Sequence, residues 1–330
     1  MLDLSEVHVV SIPLRVPFRG VLHREALLLR GSAGWGEFSP FLEYDDGEAA
    51  RWLAAALEAS QDGWPVPVRE SVPVNATVPA VPAAQVADVL ARFPGCTTAK
   101  VKVAQAGQAL RDDVDRVAAV REVLGPQGRV RVDANGAWSL ADARWAVAAL
   151  DAFDLEYVEQ PCAEVEDLAL LRVALARAGI DVRVAADESV RKAADPLRVA
   201  RAGAADVVVL KVAPLGGVAP ALRIAQECGL PVVVSSALDT SVGISAGVAL
   251  AAALPELPFA CGLATTSLLD GDVVRDSLDG HGGFIPVGPV DPDPALLDRH
   301  AAPQERQDWW LARLSRCSEL QAAPDRAADC

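Results

Sequence analysis

The chain has 330 residues, 52% of them hydrophobic, with a formal net charge of −15 and a pI near 4.7. That length suits one barrel of about 250 residues plus a smaller domain. The acidic balance excludes nucleic acid and anionic membrane surfaces as partners, because both select basic patches. The opening MLDLSEVHVV carries neither a basic segment nor a long apolar one, and the apolar run over 244–254 is too short to span a bilayer. The reading is a cytoplasmic protein with no membrane insertion. The six cysteines, Cys96, Cys162, Cys228, Cys261, Cys317 and Cys330, form no CxxC pair and read as free thiols in a reducing compartment.

Residues 1–73 read as a small α+β capping domain. VHVVSIPLR and EALLLRGS alternate like antiparallel strands, GWGEFSP closes the second of them, and GEAARWLAAALEA has the spacing of an amphipathic helix. Loops rich in Pro, Gly and polar residues are expected around 16–24 and 39–46, and WPVPVRESVPV is the linker out. From 74 to 283 the rhythm changes to strand–helix units. The β-runs are VNATV, TAKVKV, RVRVDAN, LEYVEQP, VRVAADE, DVVVLKV, PVVVSSA and FACGLA, and Ala/Leu/Arg-rich helical segments separate them. With no GxGxxG or GxxxxGKS turn, the pattern predicts an α/β fold of the (β/α)7β modified TIM-barrel type rather than a doubly wound sheet. Residues 284–330 break the rhythm. FIPVGPV and two short helices, the second ERQDWWLARLSRC, are expected to return to the first domain, with a frayed tail from Ser318.

Three of the β-runs end abruptly in a carboxylate: Asp133, Glu159 and Asp187, spaced 26 and 28 residues apart. In a parallel barrel these acids meet at one rim, where their repulsion calls for a hard divalent cation. Mg²⁺ suits oxygen ligands best. The wider series of strand ends, Lys102, Asp133, Glu159, Asp187, Lys211, Ser236 and Gly262, recurs every 24 to 31 residues, at the end of a barrel where catalytic groups gather. A helix cap is the competing reading for any single acid, but not for three in register.

Lys100 and Lys102 share the inward face of one strand. Mutual repulsion and desolvation should lower a lysine pKa there, as a general base near neutral pH requires. Lys211 lies in an apolar run where an unpaired charge is expensive. Arg131, two residues before Asp133, should also point inward, either to bind a substrate carboxylate or to brace the acids. Asn135 either touches a ligand or caps the next helix, and Ser235 and Ser236 either donate to substrate or cap a strand end. Of the four histidines only His23 is a candidate substrate contact. Trp309 and Trp310 read as packing.

Taken together, GWGE, KVK, VDAN, VEQP, ADES and LKV, in this order and over most of the chain, resemble the muconate-lactonizing subgroup of the enolase superfamily. The resemblance implies Mg²⁺ (Mn²⁺ as the alternative) on Asp133, Glu159 and Asp187, with Lys102 and Lys211 flanking a small-molecule carboxylate substrate. Mg²⁺ would stabilise the enediolate left by α-proton abstraction. The short chain, RVDANGAW, and GLAT at 262–265 in place of a DxD motif are most similar to the branch that dehydrates a cyclohexadiene carboxylate in menaquinone biosynthesis. N-acylamino-acid racemases and dipeptide epimerases use the same core residues and are the alternative. A non-catalytic barrel stapled by its metal is a more distant one.

Overall fold

The computed structural model describes residues 6–18 and 20–322. Strands β1 (Val7–Phe18), β2 (Val21–Arg30) and β3 (Trp35–Phe38) form an antiparallel sheet in that order, and α1 (Asp46–Leu57) lies against it. GWGE is thus a third strand of its own, not the close of the second. The loop expected around 16–24 is replaced by a long hairpin, in which β1 runs to Phe18 and β2 resumes at Val21. Pro13 and Pro17 cost little there because β1 is an edge strand, where a missing N–H need not break the ladder. Asp45 caps α1 by accepting from the Glu48 amide at 2.8 Å, and α1 continues into a π-helical turn at Glu58–Asp62.

The chain then passes through β4 (Ser71–Pro73) into seven parallel strands: β5 (Ala76–Val78), β6 (Thr98–Lys102), β7 (Arg129–Asp133), β8 (Leu155–Glu159), β9 (Arg183–Ala186), β10 (Val207–Leu210) and β11 (Val232–Val234). They hydrogen-bond in sequence order. FACGLA, expected as an eighth strand, is reduced to two parallel bridges, Val74 to Cys261 and Ser235 to Gly262. Those bridges close the barrel between its first and last strands. Helices α2 (Val86–Leu90), α3 (Leu110–Leu124), α4 (Leu140–Leu150), α5 (Val165–Ala178), α6 (Glu188–Arg191), α7 (Arg198–Arg201), α8 (Val212–Leu215), α9 (Val218–Cys228) and α10 (Ser241–Ala253) lie between strands or follow the last. The 244–254 run falls almost wholly in α10, a buried helix. No helix among the described residues is long and apolar enough to cross a membrane.

Alternation along the strands divides the core. Outward residues such as Val101, Val132, Val158, Val184, Val208 and Val234 join the helix faces, among them Val117, Val147, Leu168 and Leu171. The strands are covered on both faces, which is why they read as β-branched runs. Inward, the lower half of the barrel is filled by Tyr157, Ala185, Val207, Val209, Val233 and Phe259. The upper half is polar.

After the barrel, β12 (Phe284–Pro286) pairs antiparallel with β4, and α11 (Pro294–Arg299) leads to α12 (Gln304–Ala322). Helix α12 lies on the first sheet. Trp310, Leu314 and Cys317 share one core with Val9, Leu27, Leu29, Phe38, Trp52 and Leu53. Trp310 is wholly buried, and its indole N–H donates to Glu25 at 2.7 Å. Residues 318–322, expected to fray, are helical; the rest of the expected tail, with Cys330, lies outside the described residues. The other five cysteines are free thiols.

Candidate active site

The strand order fixes who can meet. The acid-bearing segments β7, β8 and β9 are adjacent, and the lysine-bearing β6 and β10 flank them on either side. Register pairs Lys102 with Asp133 and Asp133 with Glu159, while Asp187 and Lys211 follow the last residues of β9 and β10. Asp133, Glu159 and Asp187 are all at most 1% exposed.

Each acid is turned to a cation of the protein. Lys102 donates to Asp133 and, at 2.9 Å, to the Asn135 side-chain oxygen. Lys100 donates to both Glu159 oxygens at 3.0 and 3.1 Å and stands 3.8 Å from Asp133. Asp187 accepts from Lys211 at 2.6 Å and from Arg191 Nε at 3.0 Å. Arg191 also donates to Glu188 at 2.6 Å and to the Tyr44 hydroxyl at 3.1 Å, which ties the rim to the capping domain. Four carboxylates therefore face four cations.

Burial and pairing set the ionisation of the cluster. Burial alone would raise Asp133, but Lys102 and Lys100 outweigh it and hold the carboxyl at about 2. Asp187 is lowered in the same way, Lys211 and Arg191 overriding its burial. Glu159 goes the other way, up to about 7, because burial and the charge of Asp133 exceed the pull of Lys100. Burial lowers Lys102, with Lys100 adding to it against the attraction of Asp133. Lys100 departs from the expectation for the pair: despite burial, Glu159 and Asp133 raise it, so it is locked as a cation.

Several expected contacts are corrected. Arg131 is inward and fully buried, but it sits one layer below the acids. It donates to Glu156, Asn75 Oδ1 and the Ala260 carbonyl, and stacks 4.8 Å from the Tyr157 ring. It neither braces the acids nor reaches the pocket. Asn135 does not cap a helix, since Ser139 caps α4; it takes a left-handed backbone (φ 47) and holds Lys102. His23 is exposed on the hairpin, opposite Pro13. Ser236 donates to the Gly262 carbonyl at 2.8 Å and shares a hydrogen bond with Thr265. A Cβ at Gly262 would lie 2.6 Å from Ser235 Oγ, so a larger residue there requires the Ser235 side chain to shift.

A pocket opens over the cluster, lined by Phe41, Thr77, Lys100, Lys102, Arg191, Lys211, Leu238 and Thr265 among others. Sequence reasoning missed Gln160, Arg191 and the capping-domain contacts. Gln160 accepts from the Asp187 and Ser189 amides at 2.9 and 3.1 Å, so VEQP locks one acid-bearing loop to the next. Arg191 was in reach of sequence, four residues after Asp187 at the spacing that pairs charges on a helix.

The donor set fits a hard divalent ion: three buried carboxylates offering only oxygen, each already holding positive charge. No three acid, imidazole or thiol groups among the described residues converge on a single ion position as they stand.

This arrangement has relatives. Residues 83–293 match the enolase C-terminal domain-like model and residues 9–60 the enolase N-terminal domain-like model. The fold superposes on muconate lactonizing enzyme from Pseudomonas fluorescens with a TM-score of 0.76 at 20% identity, covering 90% of this chain and 98% of that one. The o-succinylbenzoate synthase of Thermobifida fusca (strain YX) is 62% identical over 281 residues, 85% of this chain and 87% of the relative. The same-named protein of Mycolicibacterium smegmatis (strain ATCC 700084 / mc(2)155) is 57% identical over 318 residues, 96% of each. The chain belongs to the enolase superfamily and, within it, to the o-succinylbenzoate synthase family.

Proposed function

We propose that the chain is a hydro-lyase that converts 2-succinyl-6-hydroxy-2,4-cyclohexadiene-1-carboxylate to 2-succinylbenzoate at this barrel mouth, in menaquinone biosynthesis in the cytoplasm. The observation that carries the assignment of residues is the strand order, with three adjacent strands each carrying an acid at or just past its end, flanked on each side by a strand with a lysine in the same place.

Asp133, Glu159 and Asp187 would hold Mg²⁺, which when bound supplies positive charge to the substrate carboxylate as its α-carbon loses a proton. Lys102 is the base. Burial and Lys100 depress its pKa, as proton removal near neutral pH requires. It takes the proton from the ring carbon beside the carboxylate. As an ammonium group it then returns a proton to the departing C6 hydroxyl on the same face. Water leaves, and the ring electrons close into the aromatic product. Lys211, across the acid strands, remains cationic and stabilises charge as it develops. Lys100 keeps Glu159 and Asp133 in place.

The racemase and epimerase reading uses the same lysines and acids. Relatives 54–62% identical that are named o-succinylbenzoate synthase favour dehydration over it. The deciding experiment is turnover of the cyclohexadiene carboxylate, followed by its ultraviolet change, with Mg²⁺ and with EDTA. Rapid Mg²⁺-dependent dehydration is expected. No dehydration by folded, Mg²⁺-supplied protein would overturn the reading.

A further inference from the structure

One wall of the pocket is held in an unfavourable backbone conformation. Leu238, which lines the pocket, has φ +65, a left-handed region that branched and bulky side chains avoid. Such a residue persists only where its surroundings determine it. Two contacts do so. Asp239 accepts from the Ala237 amide at 3.0 Å, and Arg24 Nε donates to the Leu238 carbonyl at 3.0 Å.

Arg24 comes from β2 of the capping domain and is 3% exposed. Its guanidinium holds more than Leu238. Nη2 donates to the Ser39 carbonyl and, at 3.0 Å, to the Ser39 hydroxyl. The planar group lies 4.7 Å over the Phe41 ring and 3.8 Å from Asp239. Phe41 lines the same pocket from the capping side. Arg24 does not line it. One buried cation thus grips a strained wall from the barrel and an aromatic wall from the other domain.

We propose that Arg24 is a positioning residue for substrate recognition: it joins Phe41 to Leu238 and so presets the apolar side of the pocket before substrate enters. The proposal rests on the synthase reading of the site. Its effect falls on binding, because Arg24 reaches neither lysine nor any of the three acids. A planar fork with several donors is needed, since one group must serve a carbonyl in each domain while its face stacks on a ring.

The test is steady-state kinetics of Arg24→Met and Arg24→Lys with Mg²⁺ and the cyclohexadiene carboxylate, alongside calorimetric binding of 2-succinylbenzoate. Arg24→Met is expected to raise KM at least tenfold, with kcat within threefold of wild type and product affinity falling in parallel. Arg24→Lys keeps the charge but not the fork, and is expected to raise KM at least threefold. Leu238→Gly removes the left-handed penalty. In that background Arg24→Met is expected to change KM by less than threefold further. If Arg24→Met does not fold, the KM of the lysine variant decides by itself. An unchanged KM in the folded arginine variants overturns the proposal, as does an Arg24→Met effect of equal size in both Leu238 backgrounds. Wild-type protein that dehydrates nothing and binds no product overturns the synthase reading instead.

Discussion

Lys100 and Lys102 are two residues apart on one strand and point the same way, yet their environments push them in opposite directions. The difference lies in their partners. Lys100 straddles two buried carboxylates, while Lys102 shares one of them and meets an amide oxygen. Replacement of Lys102 by Ala should therefore lower kcat by roughly 10²–10⁴, the usual scale for a general acid–base group. Lys211→Ala should lower it by on the order of 10²–10³, as for a charge that stabilises a transition state. Circular dichroism should show both variants folded, and wild-type turnover in either would sink the assignment. Arg131 makes the opposite case. It lies below the acids with Glu156 and two aromatic rings, so Arg131→Met should leave KM and kcat per folded molecule within a few-fold. Its melting temperature should fall by several degrees, because breaking a buried ion pair typically costs about 3–5 kcal/mol. Sequence alone showed that Arg131 points inward. It did not show how deep, because a period of two gives the face of a strand and not the layer of the barrel.

At the level of elements, two capping-domain glutamates end on the N-termini of successive barrel helices. Glu58 accepts from the Val218 and Ala219 amides of α9 at 2.5 and 2.9 Å. Glu37 of GWGE accepts from the Thr240 and Gly243 amides at the start of α10 at 3.1 and 3.0 Å. Each satisfies amides that a helix leaves unpaired, and the charge of Glu58 also complements the dipole of α9. Glu58→Gln should thus lower stability by about 1 kcal/mol, seen as a melting temperature a few degrees lower. The capping domain depends as sharply on Gly36, where a Cβ would collide with the Ala56 carbonyl oxygen of α1. Gly36→Ala should separate β3 from α1 and cost about 1–3 kcal/mol or more, read as a lower thermal midpoint. Most of the barrel was legible because parallel strands covered on both faces become apolar runs, several of them closed by a charged residue. The place of the eighth run was legible too, but not its reduction to bridges, since Cys261 and Gly262 each pair singly rather than in a ladder. The hairpin was not legible either, because Pro17 and Gly20 signal a loop locally, while the edge position of β1 that tolerates proline is a property of the sheet.

Across the whole molecule, the interface between the domains is where sequence said least. Glu37 and Thr240 are 203 residues apart, and no periodicity links them. Burial, with Asp239 adding to it, raises the Glu37 carboxyl from 4.5 to about 7. Between those values the folded chain keeps a proton that the unfolded chain has released, so this group's stabilising contribution is lost as pH rises through that window. Asp239, raised by burial, acts in the same sense. Wild type should therefore lose thermal stability between about pH 4.5 and 7 relative to Glu37→Gln, and parallel melting curves for the two proteins would contradict this. EDTA should abolish turnover and Mg²⁺ restore it, and added Mg²⁺ should raise the melting temperature in proportion to its binding.

The core that α12 completes has a consequence for the chain during synthesis. Glu25 meets Trp310 across 285 positions. The first sheet and α1 leave the ribosome long before the helix that covers them. At about 5–20 residues per second, that face waits on the order of tens of seconds for its cover. Folding must therefore run out of chain order, with the barrel's neighbouring strands able to pair as they emerge and the first domain finishing last. Until then an apolar surface that includes Trp52 and Phe38 is open to misassembly, and chaperone demand should peak while the barrel is being translated.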